Sequence, residues 1–576
     1  MTFSTLRALH AVIGGAIYDI ERVYRERSQD SGLEYPSLDE PYYYTAQHTP
    51  EEELAEALKG DPAVAAASKR IVAACGQLAT TVNKPWFGLM EDVQRGQFSS
   101  AIRFLETANI VEILREAGPA GLHVRDIHRQ IFELRTNLKT AAPEDTAPLT
   151  PANLSLHASG HILRLLATGH YLREVAPDVF ANNRASSYID TGKSVAQLRE
   201  APEKKYNDTD GVAAFVAMTG DEALKFISCL TEWALPEKRA TGTGTALART
   251  DANFDYRAPP PELALAPSAA DANGNGNVNG DAANGDANVN GDAAKEKEKE
   301  KERARYVAPF NLAFNTQLGY FPWLELRENA GRFVRFGHAM TGTRQWEIKH
   351  QILQGFSWEA LPEGAVLVDV GGGIGAQSIL VAQAHPHVHV VVEDREQVVS
   401  TAVSAWGPQY ADLFASGRMS WRTRDFFEAW PPLTIPALGP VDAPAVFLLR
   451  LVMHDWKDED CKRILSQLRA AAGPQTKLLI GDMLLPNACA DAAAYEGADG
   501  SAVTFPFVTK DSPLLPNLGV ANLHGYLIDI MMMGMFDAKE RTVDELTALT
   551  LSAGWKIVEI RRTPGSMWAY TTAVPV

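Results

Sequence analysis

Cysteine is scarce in this chain. Cys75, Cys229, Cys461 and Cys489 are the 4 present among 576 residues, and no two stand in C-x-x-C spacing. Neither a disulfide framework nor a structural zinc site is expected, and a reducing compartment fits. Basic residues are also in deficit. Lys and Arg number 54 against 71 Asp and Glu, a net charge of -17, which disfavours nucleic acid and anionic membrane surfaces as partners. Long apolar runs are missing as well, since nothing approaches the roughly 18 residues needed to span a bilayer. The N-terminal "MTFSTLRALHAVIGGAIYDIERVYRER" is apolar only from Leu9 to Tyr18, with His10 inside that run. Asp19, Glu21, Arg22 and Arg25 continue it at helical spacing. It reads as an amphipathic helix, not a leader or anchor, and a cytoplasmic protein is expected.

What the chain does contain divides into parts, because 576 residues exceed one hydrophobic core. The segment "DANGNGNVNGDAANGDANVNGDAAKEKEKEKERAR" has no aromatic residue and almost nothing large and apolar. It cannot offset the entropy of ordering, so residues 261–305 are expected to be a disordered low-complexity linker. Its Asn-Gly-Asp repeats lack the strict nonapeptide glycine spacing of calcium-binding arrays. Before the linker, residues 1–95 form a helical region and residues 96–260 a second unit. In "FSSAIRFLETANIVEILREAG", Ile102, Leu105, Ile110, Val111 and Leu114 share one helical face. Next come "LHVRDIHRQI" and a helix closed by Gly169. The strand pair "YLREVAPDVFANN" then turns at Pro177-Asp178. Helix, helix, hairpin is the order of a winged helix. That module often binds DNA, but the acidic chain and the apolar "ILRLLATGHYL" predict a helix that faces protein.

Residues 306–576 alternate strands with helices: "VLVDV", "QSILVAQAH", "HVHVVVED", then "AVFLLRLVM", "DEDCKRILSQLRAAAG", "KLLIGDMLL". The fold class expected is α/β, a doubly wound Rossmann-like domain on a parallel sheet, preceded by the mostly helical winged-helix unit. Its first strand runs into "GGGIGA", where Gly371, Gly373 and Ala376 satisfy the dinucleotide fingerprint G-x-G-x-x-G/A. Two carboxylates point to a different nucleoside. Asp369, two residues before the first glycine, would repel a pyrophosphate and suits an ammonium group. Asp394, 25 residues further on, ends the next strand where an acidic residue takes ribose hydroxyls. S-adenosylmethionine uses both; a nicotinamide dinucleotide explains only Asp394.

The segments "LVDVGGGIG", "VVVEDREQV", "RDFFEAWP", "FLLRLVMHDWKDEDCKRIL", "LLIGDMLLP" and "KERTVDELTALTLSAGW" follow one another in this order. The series resembles the plant and fungal S-adenosylmethionine-dependent O-methyltransferases that act on phenolic and related small molecules. The glycine turn is common to all such methyltransferases, whereas "MHDW" is diagnostic of this group. The resemblance implies that Gly371, Gly372, Gly373 and Gly375 make room for the cofactor, that Asp394 binds its ribose, and that Asp425 and Phe426 border its adenine. Arg450 stands where the family has a basic residue near the cofactor. His454 would be the general base, with Asp482 and Glu540 at the two acidic positions flanking it; the family more often has Glu at the first of these. The winged-helix region would be a dimerisation domain giving a homodimer.

Methyl transfer from a sulfonium requires an aligned acceptor oxygen that loses its proton, and histidine is the usual base. Met532, in "DIMMMGMFDAKERT", falls where the family lines its acceptor pocket, although a Met-rich helix is also ordinary core. His385, His387 and His389 could share a strand face, but "HPHVH" has a proline in the turn and no nearby Cys or carboxylate, so no metal is expected. A catalytically silent relative acting as a binding protein would keep the glycine turn and lose the base.

Overall fold

Apolar runs and amphipathic helices segregate along the chain, and the computed structural model gathers the runs of its C-terminal part into one 7-stranded sheet. It describes residues 3–28, 32–136, 156–235, 308–343, 350–407, 409–435, 437–489, 494–496, 502–504, 511–562 and 566–576. The linker expected at 261–305 lies outside the described residues.

The winged-helix order is present. β1 (Leu122–His123) leads into helix Val124–Thr136, helix Leu156–Thr168 follows, and β2 (Arg173–Ala176) turns back as β3 (Val179–Ala181). The strands pair in the order β1-β3-β2, and Asp178 takes a φ of 62° in the tight turn. The preceding stretch, read as one helix from its periodicity, is two: Gly96–Thr107 and Ile110–Ala117. Asn109 breaks it with φ 56°, a left-handed conformation that asparagine tolerates better than most side chains. The apolar face survives the break, since Leu105, Ile110, Val111 and Leu114 are all buried together.

The sheet of the C-terminal unit begins with β4 (Ala365–Val370), β5 (Val388–Asp394) and β6 (Met419–Thr423). A small ladder of β7 (Leu433–Ile435) and β8 (Gly439–Val441) follows, then β9 (Val446–Arg450) and β10 (Lys477–Met483). After a second small ladder, β11 (Ala494–Glu496) with β12 (Ala502–Thr504), the chain closes with β13 (Trp555–Arg562) and β14 (Trp568–Pro575). The strand order is β13-β14-β10-β9-β4-β5-β6. β6, β5, β4, β9 and β10 are mutually parallel, and β14 enters antiparallel between β10 and β13. β4 has β5 on one side and β9 on the other, so the topological switch point lies between β4 and β9. Open α/β sheets bind ligands outside the carboxyl ends of strands at such a point. Successive β4 residues alternate faces. Val366, Val368 and Val370 enter one buried layer with Phe447, Leu449 and Ile464; Leu367 enters the opposite layer with Val390, Leu448 and Trp358.

The N-terminal helices do not stand apart. Helix Phe3–Arg27 packs along helix Pro62–Val82, which in turn seats on residues 511–522 of the C-terminal unit. Gln77 binds that segment twice, donating to Pro513 O at 2.8 Å and accepting from Leu515 N at 3.3 Å. Lys69 Nζ donates to Asn522 Oδ1 at 2.8 Å. The Val520 side chain packs so closely onto the helix backbone that a Cβ on Gly76 would lie 2.2 Å from its Cγ2. Overpacking of this kind costs about 1–3 kcal/mol. Gly76→Leu is therefore expected to lift helix Pro62–Val82 off its seat, read as faster amide hydrogen exchange in 62–82 and 511–522 with exchange in β4 and β9 unchanged.

Candidate functional site

The carboxyl ends of the parallel strands collect the residues singled out in the sequence. β4 delivers Asp369 and the glycine turn, β5 delivers Asp394, β9 ends at Arg450 and β10 carries Asp482. Gly371, Gly373 and Gly375 have φ of 67°, 60° and 77°, a region L side chains rarely enter. A Cβ on Gly372 would lie 2.4 Å from Asp369 Oδ2, whereas one on Gly373 would meet nothing within 4 Å. The turn is thus packed from beneath and open above, a cradle that fits a flat nucleoside-bearing ligand lying on the backbone.

The acids around this cradle are tightly held. Asp394 Oδ2 accepts from Gly373 N at 2.8 Å and Oδ1 from Arg395 N at 2.7 Å. Burial pushes its pKa up and these backbone donors oppose the rise. Asp369 is buried below the turn and accepts from Ser378 Oγ at 2.6 Å. Desolvation lifts its pKa to about 6, against the Ser378 hydrogen bond and the positive charge of Arg450. The Arg450 guanidinium carbon stands 4.8 Å above the Trp568 ring. Phe426 reaches the cradle, with Cε1 3.6 Å from the place a Gly371 Cβ would occupy. Asp425 is exposed one residue earlier, and its Oδ1 accepts from Phe427 N at 2.9 Å in an Asx turn.

His454 sits in a single 3₁₀ turn, Met453–Asp455, directly after β9. Leu451 swings the chain out of the strand with φ 53°, a costly conformation for a branched side chain. The imidazole is buried, with Nδ1 2.6 Å from Glu540 Oε1 and Nε2 3.5 Å from Asp455 Oδ1. Desolvation alone would lower its pKa, but Glu540, Asp455 and Asp482 outweigh that and raise it to about 10. Burial raises Asp455 to about 6 and Asp482 to about 7, each moderated by the His454 charge. Glu540 is therefore the ring's hydrogen-bonding partner. Asp482 acts on the ring through its field, while its Oδ1 accepts from Leu451 N at 3.0 Å.

Sequence reasoning did not assign Asp455, although it stands next to the histidine in "MHDW", nor Arg541 in "KERT", which packs beside Glu540. Met532 lies in a buried cluster with Phe226, Phe310, Tyr320 and Trp323. His387 Nε2 lies 3.1 Å from Trp358 O, and among the described residues no three His, Cys, Asp or Glu side chains gather in metal-binding geometry. Among the described residues no helix is long and apolar enough to cross a membrane.

Known proteins with the same pattern add to this geometry. Residues 295–504 match the family described as O-methyltransferase domain. An O-methyltransferase of Armillaria gallica is 31% identical over 579 residues, with 100% of both chains covered. The 4-O-methyltransferase 1 of Phanerochaete chrysosporium is 32% identical over 564 residues, covering 97% of this chain and 96% of the relative. The solved structure of LepI in complex with SAM matches in fold with a TM-score of 0.54 at 14% identity, over 91% of this chain and 100% of that one.

The imidazole sets a pH test of its own. Because its folded pKa is raised from 6.5 to about 10, its ion pairing stabilises the fold fully below 6.5 and is lost as pH rises through 10. The thermal-denaturation gap between the parent and His454→Ala should accordingly be widest near pH 6.5 and close toward pH 10. A gap that widens with pH would contradict the pairing.

Proposed function

Because the chain belongs to the S-adenosylmethionine-dependent O-methyltransferases, we propose that His454 is the base that takes the proton from the acceptor hydroxyl as that oxygen receives the methyl group. Bound S-adenosylmethionine supplies the electrophilic methyl and its sulfonium leaving group. The 2.6 Å contact between His454 Nδ1 and Glu540 carries the reading. In the neutral ring Nδ1–H donates to Glu540, which leaves the Nε2 lone pair as the acceptor. When Nε2 gains the substrate proton, Glu540 and Asp455 lie on opposite sides of the new imidazolium. Alignment of the oxygen remains the larger contribution, up to about 7–11 kcal/mol in well-oriented systems.

The acceptor is a small hydroxylated molecule, and a phenol suits the site. An unperturbed phenol has a pKa of about 10, close to that of the buried imidazolium, so the proton moves between well-matched groups. Met532 and the aromatic cluster around it supply an apolar, adaptable wall for a flat ring. Asp394 holds the ribose hydroxyls, Phe426 and Asp425 border the adenine, Arg450 braces the crevice, and Asp369, buried beneath the turn, acts on the ammonium end through its charge. The homodimer has its support in helix Pro85–Val93, which buries none of its residues and exposes Trp86, Phe87, Leu89 and Val93. Cysteine scarcity supports a cytoplasmic setting.

His454→Ala is expected to bind S-adenosylhomocysteine like the parent in calorimetric titration and to lose about 100- to 10,000-fold in kcat toward phenolic acceptors. Full turnover in that variant would remove His454 from the base role. In the parent, kcat/KM should climb with pH through the neutral range, because the free site holds the ring protonated up to about 10.

A further inference from the structure

We propose that Arg541 is the positioning residue that fixes the His454 turn against the segment carrying Glu540, and so sets the ring–carboxylate geometry on which proton removal depends. The inference rests on the reading of His454 as base and concerns a residue that does not touch the reacting atoms. Arg541 is buried next to Glu540 in sequence. Its guanidinium donates from Nη1 to Met453 O at 2.7 Å and from Nη2 to Trp456 O at 2.9 Å. Those two carbonyls bracket the turn that holds His454. Its backbone belongs to the other half of the pair: Arg541 bridges to Leu484 at the end of β10, and its carbonyl accepts from Leu485 N at 3.0 Å. One residue thus ties the histidine turn by its side chain and the glutamate segment by its main chain.

The fork is itself held. Nε and Nη2 both reach Asp458 Oδ1, at 3.0 and 2.9 Å, and Nη2 lies 3.2 Å from Cys461 Sγ. Asp458 opens the helix Asp458–Ala471, so the guanidinium also aligns that helix with the turn. A planar guanidinium can serve two carbonyls and a carboxylate at once; an ammonium cannot reproduce that fork. Glu540 is restrained from its other side, since its N–H donates to Asp529 Oδ1 at 2.9 Å. The glutamate is therefore fixed by its own backbone, and the histidine has to be brought to it.

The test compares Arg541→Met and Arg541→Lys with the parent by S-adenosylhomocysteine calorimetry, acceptor KM, kcat, and the pH profile of kcat/KM. Arg541→Met is expected to keep nucleoside affinity and KM within about twofold while kcat falls about 100-fold, the scale of a 1 Å misplacement. The acid limb of its profile should move down toward 6.5, because a loosened Glu540 contact no longer holds the proton on His454. Arg541→Lys should recover part of kcat and part of the profile. A purely structural role would lower the folded fraction and leave the profile of the folded enzyme in place. Should Arg541→Met fail to fold, Asp458→Asn and Arg541→Lys decide: a smaller downward shift in both supports the proposal. An unshifted profile with parental kcat in the folded variants overturns it. His454→Ala separates the two layers, since full activity there would remove the base reading itself, whereas a failure confined to the Arg541 variants leaves that base in place.

Discussion

Desolvation of carboxylates along one edge of the parallel sheet governs this site. Asp369, Glu393, Asp455 and Asp482 are packed where strands β4, β5, β9 and β10 end, and burial lifts their pKa values to about 6, 7, 6 and 7. Arginines offset part of this: Arg541 acts on Asp482 and Arg422 on Glu393. Arg424 Nε lies 3.6 Å from Glu393 Oε2, and Arg450 moderates Asp369. An edge so rich in buried acid favours anything that brings positive charge, whether an ammonium, a sulfonium or a proton. The imidazole of His454 takes up that preference most directly, which is why its pKa rises despite complete burial. The proposed base and the proposed cofactor site thus share one electrostatic source.

The parts legible in the sequence were those set by local geometry. Three glycines at positive φ announce themselves as "GGGIG" because no other residue follows that turn without strain. Near-continuous apolar runs located β4, β5, β9 and β10, and the hairpin at Pro177-Asp178 marked the wing. What escaped depended on residues far apart. β14 inserts between β10 and β13, and its buried "WAYTTA" includes Thr571 and Thr572, so it does not read as an apolar run. Asn109 splits a helix whose periodicity continues unbroken across the gap. The identity of His454's partner was equally non-local: Asp482 and Glu540 look equivalent as motifs, but Leu451 turns back and captures Asp482 with its backbone N–H.

The N-terminal helices, silent as motifs, gain meaning from where they sit. Helix Pro62–Val82 grips residues 511–522, and that segment feeds directly into helix Leu523–Phe536, which carries Met532 and leads to Glu540. The same region clasps the winged-helix unit: Arg184 Nη1 reaches Glu56 and Asn182 Nδ2 donates to Tyr43 OH at 2.9 Å. Residues distant in sequence therefore brace both sides of the site. Sites held by packed elements keep tighter geometry than sites on free loops, and a base must stay within hydrogen-bond reach of its proton to be useful.

Under the proposed base role, the raised imidazole pKa favours one class of acceptor. A carboxylic acid near pKa 4 is already ionised at neutral pH and has no use for a base held by three carboxylates. An aliphatic hydroxyl, near the 15.7 of water, lies several units beyond what an imidazole with a pKa of about 10 can deprotonate at low cost. A phenol falls between them and matches the ring. Under the proposed base role His454 begins protonated at neutral pH, and turnover draws on the minority of neutral ring.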